Sequence, residues 1–325
     1  MAILSEHDEA EITAFRRCES VLYAQYGQHP QERMLTVPGS AAQFRVVELD
    51  GDRDRPPVVL LHGITSVTAA AIPLLPAIAR RRILAIDTPG HGLSDPFRIP
   101  SGTDVGRRLA GLIPAVLDDV GEEQADVIAH SLGGQIALRT ALTDPHRIRR
   151  LVLLGAPGAA FAGVKPVPAM RAFTVPGVGT AMLRLPTSLV SYARNTAAVL
   201  GARGAEAQPP QATEAGWHAS RRPGFAPSLS SFFRALLSVR GVRPGVALTR
   251  AELGSIRIPT LQIWGEDDVF LTPSVGAAEF EHIPGGQLHR MPGGHARWLD
   301  DPEGVAGLVR DFLHDESPTH SEESA

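Results

Sequence analysis

The feature that most constrains this chain is a recurring unit. A short apolar run ends abruptly in Gly, His, Ser or Asp, and an amphipathic stretch follows. Such runs occupy 58–61, 83–86, 125–129, 151–154 and 261–264, and a sixth, more polar one occupies 287–291. Strands that are apolar on both sides must be covered on both faces, which is the condition of a parallel sheet between helical layers. Helical patterns at 67–80, 103–120, 132–143, 273–281 and 302–314 supply those layers. The crossovers should be right-handed. Two further strands, about 33–37 and 44–49, come earlier with Pro38 and Gly39 in their turn, and an amphipathic helix over 6–26 precedes both. The expected class is α/β: a mostly parallel central sheet with an antiparallel start, flanked by helices.

One stretch breaks the alternation. Residues 156–256 contain helical patterns at 187–200 and 228–239, Pro- and Gly-rich joints and no strong buried-strand run. About 100 residues of plain loop do not fit a compact domain. The segment therefore reads as an inserted helical cap or lid, leaving a discontinuous core of 1–155 and 257–314. The tail, 315–325, carries four acidic residues and no large apolar ones, so disorder is expected there.

Composition excludes several classes. A net charge of −4 leaves no electrostatic footprint for nucleic acid. Arginine supplies all the basic residues except Lys165, which reads as genome composition rather than phosphate binding. A single cysteine, Cys18, permits no intrachain disulfide and fits a reducing compartment. The acidic start lacks the apolar core of a signal peptide, and no run of 18 apolar residues exists, so a cytoplasmic protein without a membrane span is expected. Histidine and acidic residues lack ligand spacing such as H-E-x-x-H. Gly90-His91-Gly92 does not continue as a dinucleotide loop. No metal and no cofactor are expected, and no nucleic-acid partner.

The chemistry centres on Ala129-His130-Ser131-Leu132-Gly133-Gly134, where a buried run meets a helical pattern. A sharp strand-to-helix turn lifts a serine hydroxyl clear of the backbone and aims helix N-terminal N–H groups at a developing oxyanion. Small residues must flank the serine; Gly133 is one, and Ala129 stands where the G-x-S-x-G pattern has glycine. The structural alternative is a serine that merely caps a helix. After the first run comes Leu61-His62-Gly63-Ile64, and a backbone N–H just past His-Gly suits a second oxyanion donor. Ile64 and Leu132 are the two candidate donors, with His62 shaping the loop.

With Asp87-Thr88-Pro89-Gly90-His91-Gly92-Leu93-Ser94-Asp95 added, these segments resemble, in order and spacing, the α/β-hydrolase family, in its serine hydrolase branch with a helical cap. The resemblance covers the chain apart from the first helix, the insertion and the tail. It implies that Asp87, His91 and Asp95 belong to a structural loop. It implies a general base at His295, in the glycine-rich turn Met291-Pro292-Gly293-Gly294-His295 before the last helix. The acid partner of that histidine lies after one of two strands in the family. Gly155-Ala156-Pro157-Gly158 holds no acid, whereas Gly265-Glu266-Asp267-Asp268 does, and Asp268 matches the family's Gly-x-x-Asp spacing. A serine needs such a base, and the base an acid to fix its tautomer.

The resemblance thus implies a Ser131–Asp268–His295 triad and carboxylic ester hydrolysis through an acyl-enzyme, with a small molecule, a hydrophobic acyl compound, as substrate. A serine nucleophile argues against the dehalogenase and epoxide hydrolase branches, which use aspartate. Carbon–carbon bond hydrolases of dienoic acids, lactonases, thioesterases and cofactor-free perhydrolases share the layout and remain open. So does a ligand receptor or scaffold with slow turnover. Phe161, Met170, Phe173, Met182, Leu183, Trp217, Phe225, Phe232 and Phe233 are candidates for either an apolar pocket or the insertion's own core.

Overall fold

The computed structural model describes residues 6–78 and 80–314; the 315–325 tail lies outside the described residues. The strands are β1 (Gln31–Thr36), β2 (Gln43–Leu49), β3 (Val58–Leu61), β4 (Ile83–Asp87), β5 (Ala125–His130), β6 (Ile148–Leu154), β7 (Leu237–Ser238), β8 (Gly241–Val242), β9 (Thr260–Gly265) and β10 (Gln287–Met291). Eight form one sheet in the order β1-β2-β4-β3-β5-β6-β9-β10. β1 pairs antiparallel with β2 and β2 with β4, and the rest of the sheet is parallel.

Each residue of β3, β4 and β9 is buried. Because side chains alternate across a sheet, these apolar runs feed two cores. Val59, Leu61, Leu84 and Ile86 join one cluster with the Leu112–Val120 and Leu132–Thr143 helices. Val58, Leu60, Ile83 and Ala85 join the other, with Phe15, Leu22, Trp298 and Val309. β10 is the polar run, and its position at the sheet edge accounts for that: no strand covers its outer side.

Two expectations need correction. The 67–80 segment is a 3₁₀ helix, Thr68–Ile78, because Pro73 and Pro76 remove the donors an α-helix would use. The 103–120 segment is two helices, Val105–Leu109 and Leu112–Val120, parted at Ala110 and Gly111. Between β6 and β9 lie the helices Pro168–Ala172, Val178–Leu183, Leu189–Leu200, Ala202–Ala207, Pro210–Arg221, Phe225–Leu236 and Arg250–Leu253, with β7 and β8 as a short hairpin. The helix expected over 228–239 begins at Phe225, since Pro227 is tolerated in a first turn, and ends where β7 starts. No helix among the described residues is long and apolar enough to cross a membrane.

The first helix, Glu6–Gln25, is tied to the sheet by a buried ion cluster. Arg45, on β2, donates to Glu19 (2.6 Å), Glu32 (2.8 Å) and Asp87 (3.0 Å). Glu19 and Asp87 flank one guanidinium where water does not reach, and the part-exposed Glu32 adds a third carboxylate, so negative charge is in excess. Burial, with Asp87 and Glu32 adding to it, lifts Glu19 from its usual 4.5 to about 7 despite Arg45. An acid whose pKa rises on folding binds more protons folded than unfolded, so its contribution to stability falls as pH rises between those values. Glu19→Gln should therefore gain stability relative to wild type as pH rises from 4.5 to 7, read as urea midpoints across that range; a constant difference would contradict the burial of this charge.

Candidate active site

The parallel order brings the ends of β3, β5, β6 and β9 to one edge of the sheet. At the end of β5 the chain turns through Ser131, with φ 51° and ψ −116°, into the Leu132–Thr143 helix. A non-glycine residue there costs on the order of 1–3 kcal/mol and needs surroundings that impose it. They do. The helix is almost wholly buried, and a Cβ on Gly133 would stand 2.5 Å from the Leu61 carbonyl oxygen. The helix can approach β3 this closely only through glycine.

The loop after β3 is held by His62. Its Nδ1 bonds the Gly63 carbonyl oxygen (2.7 Å) and its Nε2 accepts from the Thr88 N–H (3.0 Å). Both ring nitrogens are thus used within the fold, and burial keeps the pKa of His62 below the usual histidine value. A Cβ on Gly63 would come 2.8 Å from His130 Nδ1 and 3.1 Å from Ser131 Cβ, which places this loop against the serine turn. Among the described residues, the N–H groups of Ile64 and Leu132 donate to no other group.

His295 and Asp268 meet. His295 Nδ1 and Asp268 Oδ2 are 2.8 Å apart, and both residues are buried. Asp268 Oδ2 also accepts from the Ala156 N–H (2.9 Å), and Oδ1 from the Phe270 N–H (3.0 Å). Burial pushes the Asp268 carboxyl up, but the His295 charge and these donors outweigh it and hold the pKa below the ordinary value. The other nitrogen of His295, Nε2, has no hydrogen-bond partner among the described residues, so no bond to Ser131 Oγ is made. Such contacts are often loose until substrate binds. Asp267 is exposed and its N–H donates to the Gly293 carbonyl, away from the histidine ring.

The Gly155-Ala156 segment, which carries no acid, nevertheless helps form the pair: Ala156 supplies a donor to Asp268. Gly155 adopts φ 66°, and a Cβ there would lie 2.5 Å from the His295 carbonyl oxygen and 3.3 Å from Asp268 Oδ2. That glycine was the sequence signal for a close approach. His130 is the other residue that sequence spacing alone passes over. Its ring centroid lies 4.6 Å from that of His295 and 4.6 Å from that of Trp298. Burial, and then His295, hold its pKa well below the usual value, so it stands neutral beside the pair. Asp87, by contrast, accepts from Arg45 and the N–H groups of Thr68 and Leu93, and Asp95 accepts from the Gln43 N–H. His91 is buried, its pKa lowered to about 3 by desolvation. All three serve the loop.

A cavity of about 980 Å³ opens beside these residues, bounded by Ile64, His130 and Trp298 and by side chains of the insertion. Met170, Phe173, Met182, Leu183, Phe225 and Phe233 line it. Phe161, Trp217 and Phe232 do not: Phe161 packs on Trp264 and Phe280, Phe232 on His91, and Trp217 donates to the Thr187 carbonyl while its ring lies under Arg221. Of the arginines on the wall, Arg221 pairs with Glu11 and Arg222 with Asp8, and Arg184 is exposed. Among the described residues, no group of three or more His, Cys, Asp or Glu converges as metal ligands.

This chain belongs to the alpha/beta hydrolase fold family, whose model matches residues 56–296. It is a hydrolase of that family. It is 31% identical to 2-hydroxy-6-oxo-2,4-heptadienoate hydrolase of Pseudomonas putida strain F1, over 79% of this chain and 88% of that one. It is 30% identical to a 2-hydroxymuconate semialdehyde hydrolase of Pseudomonas putida, over 82% and 89%. Among solved structures, a carboxylesterase from Bacillus subtilis superposes with a TM-score of 0.71 at 20% identity, covering 94% of this chain and 99% of that one. 2-Hydroxy-6-oxo-6-phenylhexa-2,4-dienoate hydrolase from Rhodococcus sp. strain RHA1 superposes with a TM-score of 0.71 at 18% identity, covering 88% and 99%. At these identities the two structures establish the shared fold.

The geometry yields a paired test. Gly102 has φ 82° with nothing within 4 Å of its virtual Cβ, whereas Gly155 has φ 66° and the His295 carbonyl against it. Gly155→Ala should cost about 1–3 kcal/mol beyond Gly102→Ala, the usual cost of overpacking. Equal urea midpoints for the two variants would mean that the close approach is not a constraint.

Proposed function

We propose that the protein is a serine hydrolase cleaving carboxylic esters of neutral, apolar acyl compounds, and that residues 156–256 act as a cap over its site. Ser131 Oγ attacks the carbonyl while His295 Nε2 takes its proton. Asp268 holds the Nδ1–H tautomer and stabilises the imidazolium. The Ile64 and Leu132 N–H groups receive the oxyanion, an effect worth roughly 3–4 kcal/mol per donor in a known protease. His295 then protonates the leaving alcohol, and water, activated by the same base, releases the acid.

The observation that carries this reading is the buried His295–Asp268 pair, with one imidazole nitrogen committed to carboxylate and the other left without a partner. The strained Ser131 turn supports it as well. The wall of the cavity favours a neutral substrate: its apolar interior is bordered by arginines already paired or exposed to water. A second reading, carbon–carbon bond hydrolysis of a dienoic acid, is carried by the relatives that are 30–31% identical, named as hydrolases of 2-hydroxy-6-oxo-2,4-heptadienoate and of 2-hydroxymuconate semialdehyde. That chemistry presents a carboxylate, for which the wall offers Arg184, exposed and without an ion pair among the described residues.

Hydrolysis of p-nitrophenyl esters of graded chain length, set beside decay of a 2-hydroxy-6-oxo-dienoic acid, separates the two. Ester turnover well above dienoate turnover is expected, and the reverse would install the second reading. Ser131→Ala should lower kcat by several orders of magnitude, about 10⁶ in a subtilisin precedent. Asp268→Asn should lower it by about 10⁴ through the wrong histidine tautomer. Comparable activity in wild type and Ser131→Ala would sink the triad, and a single turnover per chain would point to a receptor instead.

A further inference from the structure

The Glu6–Gln25 helix has no part in the reaction scheme, and it lies ahead of residue 56, where the family match begins. Its 20 residues span roughly 30 Å at about 1.5 Å each. One half is fixed to the sheet through buried Phe15, Leu22 and Tyr23 and through the Glu19–Arg45 bond. The same helix packs closely against Pro210–Arg221 of the insertion.

Besides Cys18 Sγ, which lies 3.5 Å from Glu214 Oε2, the polar contacts between these two helices share one carboxylate. Glu11 Oε2 lies 2.7 Å from His218 Nδ1, and Glu11 Oε1 accepts from Arg221 Nε at 2.7 Å. The Glu11 side chain is 8% exposed, so water screens these bonds little. One turn earlier, Asp8 accepts from Arg222 Nε at 2.9 Å, and Arg222 also donates to the Gly92 carbonyl of the loop after β4. The Pro210–Arg221 helix lines the cavity with Ala212, Gly216 and Ser220, and with Arg221 itself. His7, four residues before Glu11, stands on the cavity wall itself.

We propose that the first helix is a clasp on the substrate cavity: Glu11 positions Pro210–Arg221 as its wall, and His7 narrows its rim, so that together they set which acyl chains are accepted. This rests on the cavity being the acyl site of Ser131. Glu11 is a positioning residue, acting through His218 and Arg221 rather than on the substrate. A displaced wall loses its contact with a long apolar chain and has little to lose with a short one.

The test compares wild type, Glu11→Arg and the charge-swapped Glu11→Arg/Arg221→Glu on p-nitrophenyl acetate and dodecanoate, with hydrogen–deuterium exchange measured over 210–221. Glu11→Arg should lower the dodecanoate-to-acetate ratio of kcat/KM about tenfold or more, mostly through KM, since small misplacements at a site have effects of that size. It should also raise deuterium uptake in 210–221, and the double variant should restore both readouts. A proportional fall for both esters, or an unchanged ratio with unchanged uptake, overturns the clasp. If wild type cleaves neither ester, the ester reading fails on that result. Exchange then decides the clasp: uptake that rises and is restored by the swap keeps it, and unchanged uptake removes it.

Discussion

The whole site depends on backbone passing backbone at distances that a side chain forbids. Gly133 lets the helix after Ser131 press on β3, Gly155 lets the end of β6 pass under His295, and Gly265 lets β9 slide beneath the Gly293-Gly294 turn. Gly155 and Gly265 stand at the carboxyl ends of β6 and β9, and Gly133 in the first turn of the helix that follows β5. The Gly133 contact presses that helix on β3 and so supports the positive φ at Ser131, while the other two hold the His295 turn. The strained nucleophile turn and the histidine–carboxylate pair are thus two results of one dense arrangement of main chain. The Asp268 carboxylate adds to it by collecting N–H groups from two different loops.

Legibility in the sequence follows from how local each signal is. The five apolar runs are strands because burial on both faces admits nothing else, and the polar sixth is the edge strand for the same reason. Ser131, His295 and Asp268 stand at strand ends in recognisable segments, so the pairing of the last two can be anticipated. What escapes is what a neighbour decides. Pro73 and Pro76 turn an apparent helix into a 3₁₀ segment, although the apolar periodicity is unchanged. Ala156 contributes an N–H that every residue has, and only Gly155 beside it hints at the contact. His130 sits next to Ser131 in sequence, yet its relevance comes from rings that arrive about 165 residues later.

Charge is distributed in keeping with this division. The cavity wall is mostly apolar, with Arg221 and Arg222 paired and Arg184 exposed, whereas Arg45, Glu19 and Asp87 form a buried ion cluster that the more exposed Glu32 joins. A buried ion cluster of this kind contributes little net stability but defines one arrangement strictly, since removing any partner strands the others. Here it joins the first helix, β1, β2 and the end of β4, four pieces that share no hydrophobic periodicity.

The docking of the first helix has a consequence for how the chain is made. Phe15, Leu22 and Tyr23 leave the ribosome early, but Arg45 and Asp87 follow later, and the helix bearing His218 and Arg221 only after some 200 further residues. At about 5–20 residues per second, the apolar face of this helix waits roughly 10–40 s for its last partner. The nascent protein therefore carries a sticky amphipathic segment through most of its synthesis. A helix made ahead of its partners is thus among the last elements to find its place.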